Sequence, residues 1–126
     1  MSKRATYKTS MNDIDSLVCG LEEVYGSSSV THAGEEVSVK VKGTYSPARF
    51  HKNKDNVYEV EYDEMDRNAY GKLFPETVNG QVVNRLAQAY SKALVIKTMK
   101  SLRGSVIKNS VDQNDVINIR IKTVQY

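Results

Sequence analysis

At 126 residues, with 40% hydrophobic and 26% charged content, the chain has the size and composition of one globular domain, because division would leave two cores near the lower limit for independent folding. No run approaches the roughly 18 apolar residues that span a bilayer, and Met1-Ser2-Lys3-Arg4 leads into Ala5-Thr6-Tyr7-Lys8 rather than an apolar signal core, so no membrane association or secretion is expected. The net charge of +3 is unevenly spread: residues 1–78 hold ten Lys/Arg against thirteen Asp/Glu, and residues 79–126 hold eight against Asp112 and Asp115.

In chain order, residues 5–11 read as a first strand, short and rich in β-branched and aromatic residues. Asn12 or Asp13 then caps a helix, with Asp15 near the positive end of its dipole. Ile14, Leu17, Val18, Leu21 and Tyr25 form one helical stripe, and Gly26 ends it. Cys19 flanks that stripe as a small residue beside a packing surface. As the single cysteine it has no internal partner, which fits a reducing compartment and a cytoplasmic protein.

After Ser27-Ser28-Ser29, residues 35–45 alternate, Val37, Val39 and Val41 against Ser38, Lys40 and Lys42, as a half-buried strand does. Ser46-Pro47 and residues 51–56 make a loop, with Ala48-Arg49-Phe50 as a strand fragment. Residues 57–62 alternate again, Tyr58, Val60 and Tyr62 opposite Glu59 and Glu61. Residues 63–75 have no period and read as a long crossing loop, of the length where function often sits. Thr77 or Asn79 caps a second helix, whose stripe is Val82, Leu86, Ala89, Tyr90 and Ala93, widened by Val83 and Leu94 and stopped by Gly104. Val106-Ile107 begins a strand, residues 112–115 turn, and Ile117, Ile119 and Ile121 alternate with Asn118, Arg120 and Lys122. The predicted order is β-α-β-β-(loop)-α-β-β in a single domain over 1–126. Its fold class is α+β, a two-layer sandwich with two helices on one face of an antiparallel sheet.

The residues that carry chemistry are sparse. A zinc site needs three or four close ligands, and His32, His51 and Cys19 stand far apart in sequence. Asp63, Glu64 and Asp66, with Glu59 and Glu61, lack calcium-loop spacing and its glycine. There is no nucleophile elbow, and the strand–helix junctions carry caps in place of a phosphate-cradling glycine loop. No catalysis, metal or cofactor is expected.

Binding is the stronger expectation. Arg85, Lys92 and Arg103 point within about twenty degrees of one another on a helix of 3.6 residues per turn, and Lys97 and Lys100 widen the positive surface. Arg85, Lys92, Lys100 and Arg103 are the candidate contacts for a protein partner, with Tyr70, Leu73 and Phe74 as an exposed loop anchor, Leu73 and Phe74 being otherwise a plug at the core edge. The alternative is a nucleic-acid-binding face built from Lys40, Lys42, Arg120 and Lys122. Such a face needs exposed aromatics among its cations, and the pattern does not place any there. The last strand, ending at Val124-Gln125-Tyr126, leaves room for a homodimer by edge pairing.

Asn84-Arg85-Leu86-Ala87-Gln88-Ala89-Tyr90, Ala93, Gly104 before an apolar strand, and the alternation of Ile117, Ile119 and Ile121 resemble a small family called domain of unknown function 1257. Tyr7-Lys8-Thr9 ahead of a helix with Leu17 is similar to that family's opening. Members occur in cyanobacteria, algal plastids and bacteriophages, and their genes often neighbour one for an AAA-type ATPase. The chain departs from the pattern at Asn114-Asp115, where a glycine is usual. The family supplies no catalytic residues to carry over. The resemblance implies a non-enzymatic interaction or accessory module acting with such an ATPase. In a phage-encoded version it would work in the bacterial host cytoplasm.

Overall fold

The structure is a computed structural model that describes residues 3–102. Arg103, Gly104, Arg120, Lys122, the expected hairpin over 106–121 and the terminal strand edge lie outside the described residues. Within them the architecture is α+β, with two helices, an antiparallel five-stranded sheet and a separate two-stranded hairpin. No described helix is long and apolar enough to cross a membrane.

The sheet comprises β1 (Arg4–Lys8), β2 (Val30–Ala33), β3 (Glu36–Val39), β4 (Ala48–Lys52) and β5 (Tyr58–Asp63), in the spatial order β1-β5-β4-β3-β2. The period-2 pattern does what it must: Val37, Val39, Ala48, Phe50, Tyr58, Val60 and Tyr62 are buried on one face. Register aligns Tyr7, Val60, Phe50 and Val37 in one row across four strands. The opposite face carries the row Thr6, Glu61, Arg49 and Ser38. The alternation expected over 35–45 breaks at Val39, for a polar reason. The Lys40 N–H bonds to the Ser29 carbonyl at 2.9 Å. Its ammonium donates to the Thr44 carbonyl and hydroxyl at 2.6 and 2.8 Å, folding the chain into a turn through Gly43 at φ 90°. Lys42 therefore stands on a loop. A strand absent from the expectation, β2, pairs with β3 through a two-residue turn in which Gly34 takes φ 63°.

Helix α1 (Ile14–Tyr25) is capped as expected: Asp13 accepts from the Ser16 N–H at 3.0 Å, and Gly26 follows its last turn at φ 92°. Leu17 and Leu21 are fully buried against the sheet's inner face. Helix α2 (Arg85–Ser101) starts later than expected, because a hairpin intervenes. Strands β6 (Glu76–Val78) and β7 (Gln81–Val83) turn at Asn79-Gly80, both at positive φ, 52° and 79°, as a type I′ turn requires. Thr77 and Asn79 are thus not helix caps. That role belongs to Asn84, which accepts from the Ala87 N–H at 3.0 Å. Val82 lies on the hairpin, 74% exposed, and not on the helical stripe; Leu86, Ala89 and Tyr90 are the buried part of that stripe.

The segment after β5 is no open crossing loop. It folds into two 3-10 turns, Glu64–Asp66 and Gly71–Leu73. Tyr70, Leu73 and Phe74 are buried and so are not an exposed anchor. The Phe74 ring meets Tyr7 edge-on at 5.2 Å between centroids and tilts against Tyr62 at 5.0 Å, closing the core. Tyr70 flanks and Leu73 ends a 3-10 turn of three residues, too short to leave a helix or strand periodicity in the sequence.

Candidate protein-docking groove between the helices

The two helices cross closely because α1 offers a glycine where they meet. A Cβ added to Gly20 would lie 3.1 Å from the Tyr90 nitrogen and 3.3 Å from its Cα. Tyr90 then reaches over the start of α1, and its hydroxyl accepts the Asn12 and Asp13 N–H groups at 3.2 and 3.0 Å. Those are donors near a helix start, which otherwise need water or a side chain.

Across the seam the charges pair. Lys92 contacts Glu23 at 2.9 Å, and Lys97 bridges Asp13 and Asp15 at 2.6 and 3.1 Å. The early acids of α1 meet the later lysine of α2, so the helices run antiparallel. For the Asp13 carboxyl, burial works to raise the pKa, but hydrogen bonds from Lys97 and Ser16 outweigh it and hold the pKa below its ordinary value. The Lys97 ammonium is held above its ordinary value, chiefly by its hydrogen bonds to Asp13 and then Asp15. These pairs are solvent-exposed and orient the helices more than they stabilise them.

Between the paired rims lies an open groove of about 330 Å³. Its walls are Ser16 and Cys19 from α1 and Ala89, Ala93 and Ile96 from α2, with Asp15, Glu23, Lys92, Lys97 and Lys100 at the rim. Ile96 is 45% exposed there. From Asp15 to Glu23 the groove follows α1 for about 12 Å, or two helical turns. Lys100 forms no ion pair among the described residues.

Of the residues expected from sequence to bind a partner, Lys92 and Lys100 are therefore at the groove, the first already engaged by Glu23. Arg85 is exposed at the start of α2, away from the groove lining. Lys40 and Lys42 belong to the turn after β3, and no side chain from β3 carries them onto the open sheet face as a pair. That face is of mixed charge, since Glu59 and Glu61 of β5 stand between the basic residues of β1 and β4, and Arg4 is paired with Glu61 at 2.9 Å. The groove residues themselves, Ser16, Ala89, Ala93 and Ile96, were not singled out as a site in the sequence. The available signal was the small-residue spacing Ser16/Cys19/Gly20 facing Ala89/Ala93.

Most of the acids weighed as cation ligands have structural partners, Glu64 being exposed. Asp63 accepts the Met65 N–H at 2.9 Å, and Asp66 accepts from Tyr45 and Ser46. Among the described residues no group of three His, Cys, Asp or Glu is placed to hold a metal ion. Comparison of the chain with protein-family models, with characterised proteins and with solved structures finds no match.

Proposed function

We propose that this domain is a non-enzymatic interaction module that docks a helical segment of a partner protein in the groove between α1 and α2. The observation that carries the reading is the groove itself: two antiparallel helices with small residues along an apolar floor, an exposed Ile96, and ion-paired rims. A third helix lying along two turns of such a seam would bury Ile96 and the half-buried Ala93. An acidic residue on it would meet Lys100, the rim cation without an ion pair among the described residues. An AAA-type ATPase is the partner class to try first, on the strength of the family resemblance drawn from the sequence.

The test is capture of a protein from nuclease-treated host lysate by the immobilised chain, compared with two variants. Ile96→Arg places a charge on the exposed groove floor and abolishes capture. Arg85→Glu changes an exposed position outside the groove and leaves capture intact. Undiminished capture by Ile96→Arg would refute the groove as the docking site.

A further inference from the structure

The turn between β3 and β4 is held more tightly than its exposure would suggest. Asp66, only 4% exposed, accepts the Tyr45 N–H at 2.9 and 3.0 Å and the Ser46 N–H at 3.1 Å. The buried Tyr70 hydroxyl donates to the Ser46 carbonyl at 2.7 Å. Arg4 donates to the Ser46 hydroxyl at 2.8 Å, and Lys40 closes the other side on Thr44. All this fixes a backbone whose central side chain, Tyr45, points into solvent at 71% exposure, with Met65 of the adjoining turn 66% exposed.

Within the turn segment itself the charge has one sign. Residues 40–49 contain Lys40, Lys42 and Arg49 and no acid. Lys42 and Arg49 are exposed and form no ion pair among the described residues. At no more than about 3.5 Å per residue, both lie within roughly 14 Å of Tyr45. Carboxylates adjoin the turn: Glu61, opposite Arg49 in the β4–β5 register, is paired with Arg4, Asp66 accepts backbone N–H groups, and Glu64 is exposed beside Met65. A protein hot spot would set such a ring in an apolar surround. A rigid aromatic among cations suits a ligand that alternates flat rings with negative charge.

We infer that this turn is a binding site for single-stranded nucleic acid, in which the Tyr45 ring stacks on an unpaired base and Lys42 and Arg49 meet the flanking phosphates. Because the backbone is already fixed, stacking orders little beyond one side chain. A duplex hides its base faces and is a poor ligand for such a platform. The site is separate from the helix groove and stands or falls independently of it.

The experiment is fluorescence anisotropy with a labelled uridine dodecamer at 50 and 200 mM salt, repeated with an abasic strand of equal length. The intact strand binds more tightly than the abasic one, and affinity falls with salt. Tyr45→Ala weakens binding at least about fivefold, while Tyr45→Phe stays within about twofold, as loss and retention of a stacking ring require. Lys42→Gln lowers the slope of log affinity against log salt by about one. Absence of binding at 50 mM salt, equal affinity for the abasic strand, or an unchanged constant for Tyr45→Ala would each overturn the inference. So would a protein captured after nuclease treatment and released by Tyr45→Ala, which would assign the ring to a protein contact.

Discussion

Replacing Tyr90 by Phe removes a single oxygen, and the structure says what that oxygen does. It accepts the backbone N–H groups of Asn12 and Asp13, at 3.2 and 3.0 Å, at the entry to α1. A net hydrogen bond contributes about 0.5–1.5 kcal/mol, and a donor left without a partner costs up to about 3 when fully buried. Both donors here are partly accessible, so water recovers some of the loss and about 1–2 kcal/mol remains. For a domain of this size that is a fall in Tm of roughly 4–8 °C. The same substitution at Tyr25 is the control. Its hydroxyl is buried without a hydrogen-bond partner, and burial pushes its pKa above the ordinary 10.0, an effect the nearby Lys72 backbone only partly offsets. Tyr25→Phe relieves a desolvated group and leaves stability unchanged or raised by up to about 1 kcal/mol. Thermal and urea unfolding followed by far-UV circular dichroism measure both. If Tyr25→Phe falls as far as Tyr90→Phe, then ring packing rather than hydroxyl partnering sets the cost, and the reasoning fails.

Gly20→Ala sets a helix-propensity gain of about 1 kcal/mol against contact with Tyr90 backbone that cannot swing aside, 3.1 Å from the new Cβ. The expected outcome is net destabilisation in urea titrations, with Gly20→Ser at least as severe. The Asp13 carboxyl titrates below its unfolded value of 3.8, so its stabilisation is complete above that pH and is lost as pH falls through the lower folded value. Acid unfolding monitored by circular dichroism should therefore lose part of its pH dependence in Asp13→Asn. Asp66→Asn leaves one acceptor oxygen for donors now spread over two, and costs about 1–3 kcal/mol, read as a lower urea midpoint.

The sequence made the sheet's inner face and the first helix readable because each rests on a local rule. Val37/Val39 and Tyr58/Val60/Tyr62 alternate, Ile14 to Tyr25 repeats at helical spacing, and Asp13 and Gly26 bracket it. What escaped were short elements with strong turn chemistry. Asn79-Gly80 is a hairpin turn signal, and reading Asn79 as a cap hid two three-residue strands and put Val82 on a helix. Gly34 marked the β2–β3 turn in the same way. Tyr70, Leu73 and Phe74 lie in or beside a three-residue 3-10 turn, which has no long repeat to detect. The groove was legible only in part, since small residues signal close approach but do not say which helix approaches. Tyr45 could not be placed from its pattern, because the strand expected to carry it ends six residues earlier.

The charge asymmetry between the two parts of the chain also changes meaning once the chain is folded. Read along the sequence, the acidic first part and basic second part suggest opposed surfaces offered to outside partners. In the fold, much of that contrast is consumed at one seam, where Lys92 and Lys97 of α2 meet Glu23, Asp13 and Asp15 of α1. Lys8 and Arg4 are likewise spent on Asp55 and Glu61. Cations without an ion pair among the described residues include Lys100 at the groove and Lys42 and Arg49 near Tyr45, but also Lys54, Lys72 and Arg85 elsewhere. Net charge therefore does not locate a binding surface in this domain. Subtracting the internal pairs narrows the choice, and the surroundings complete it: an apolar floor beside Lys100 and an exposed aromatic ring near Lys42.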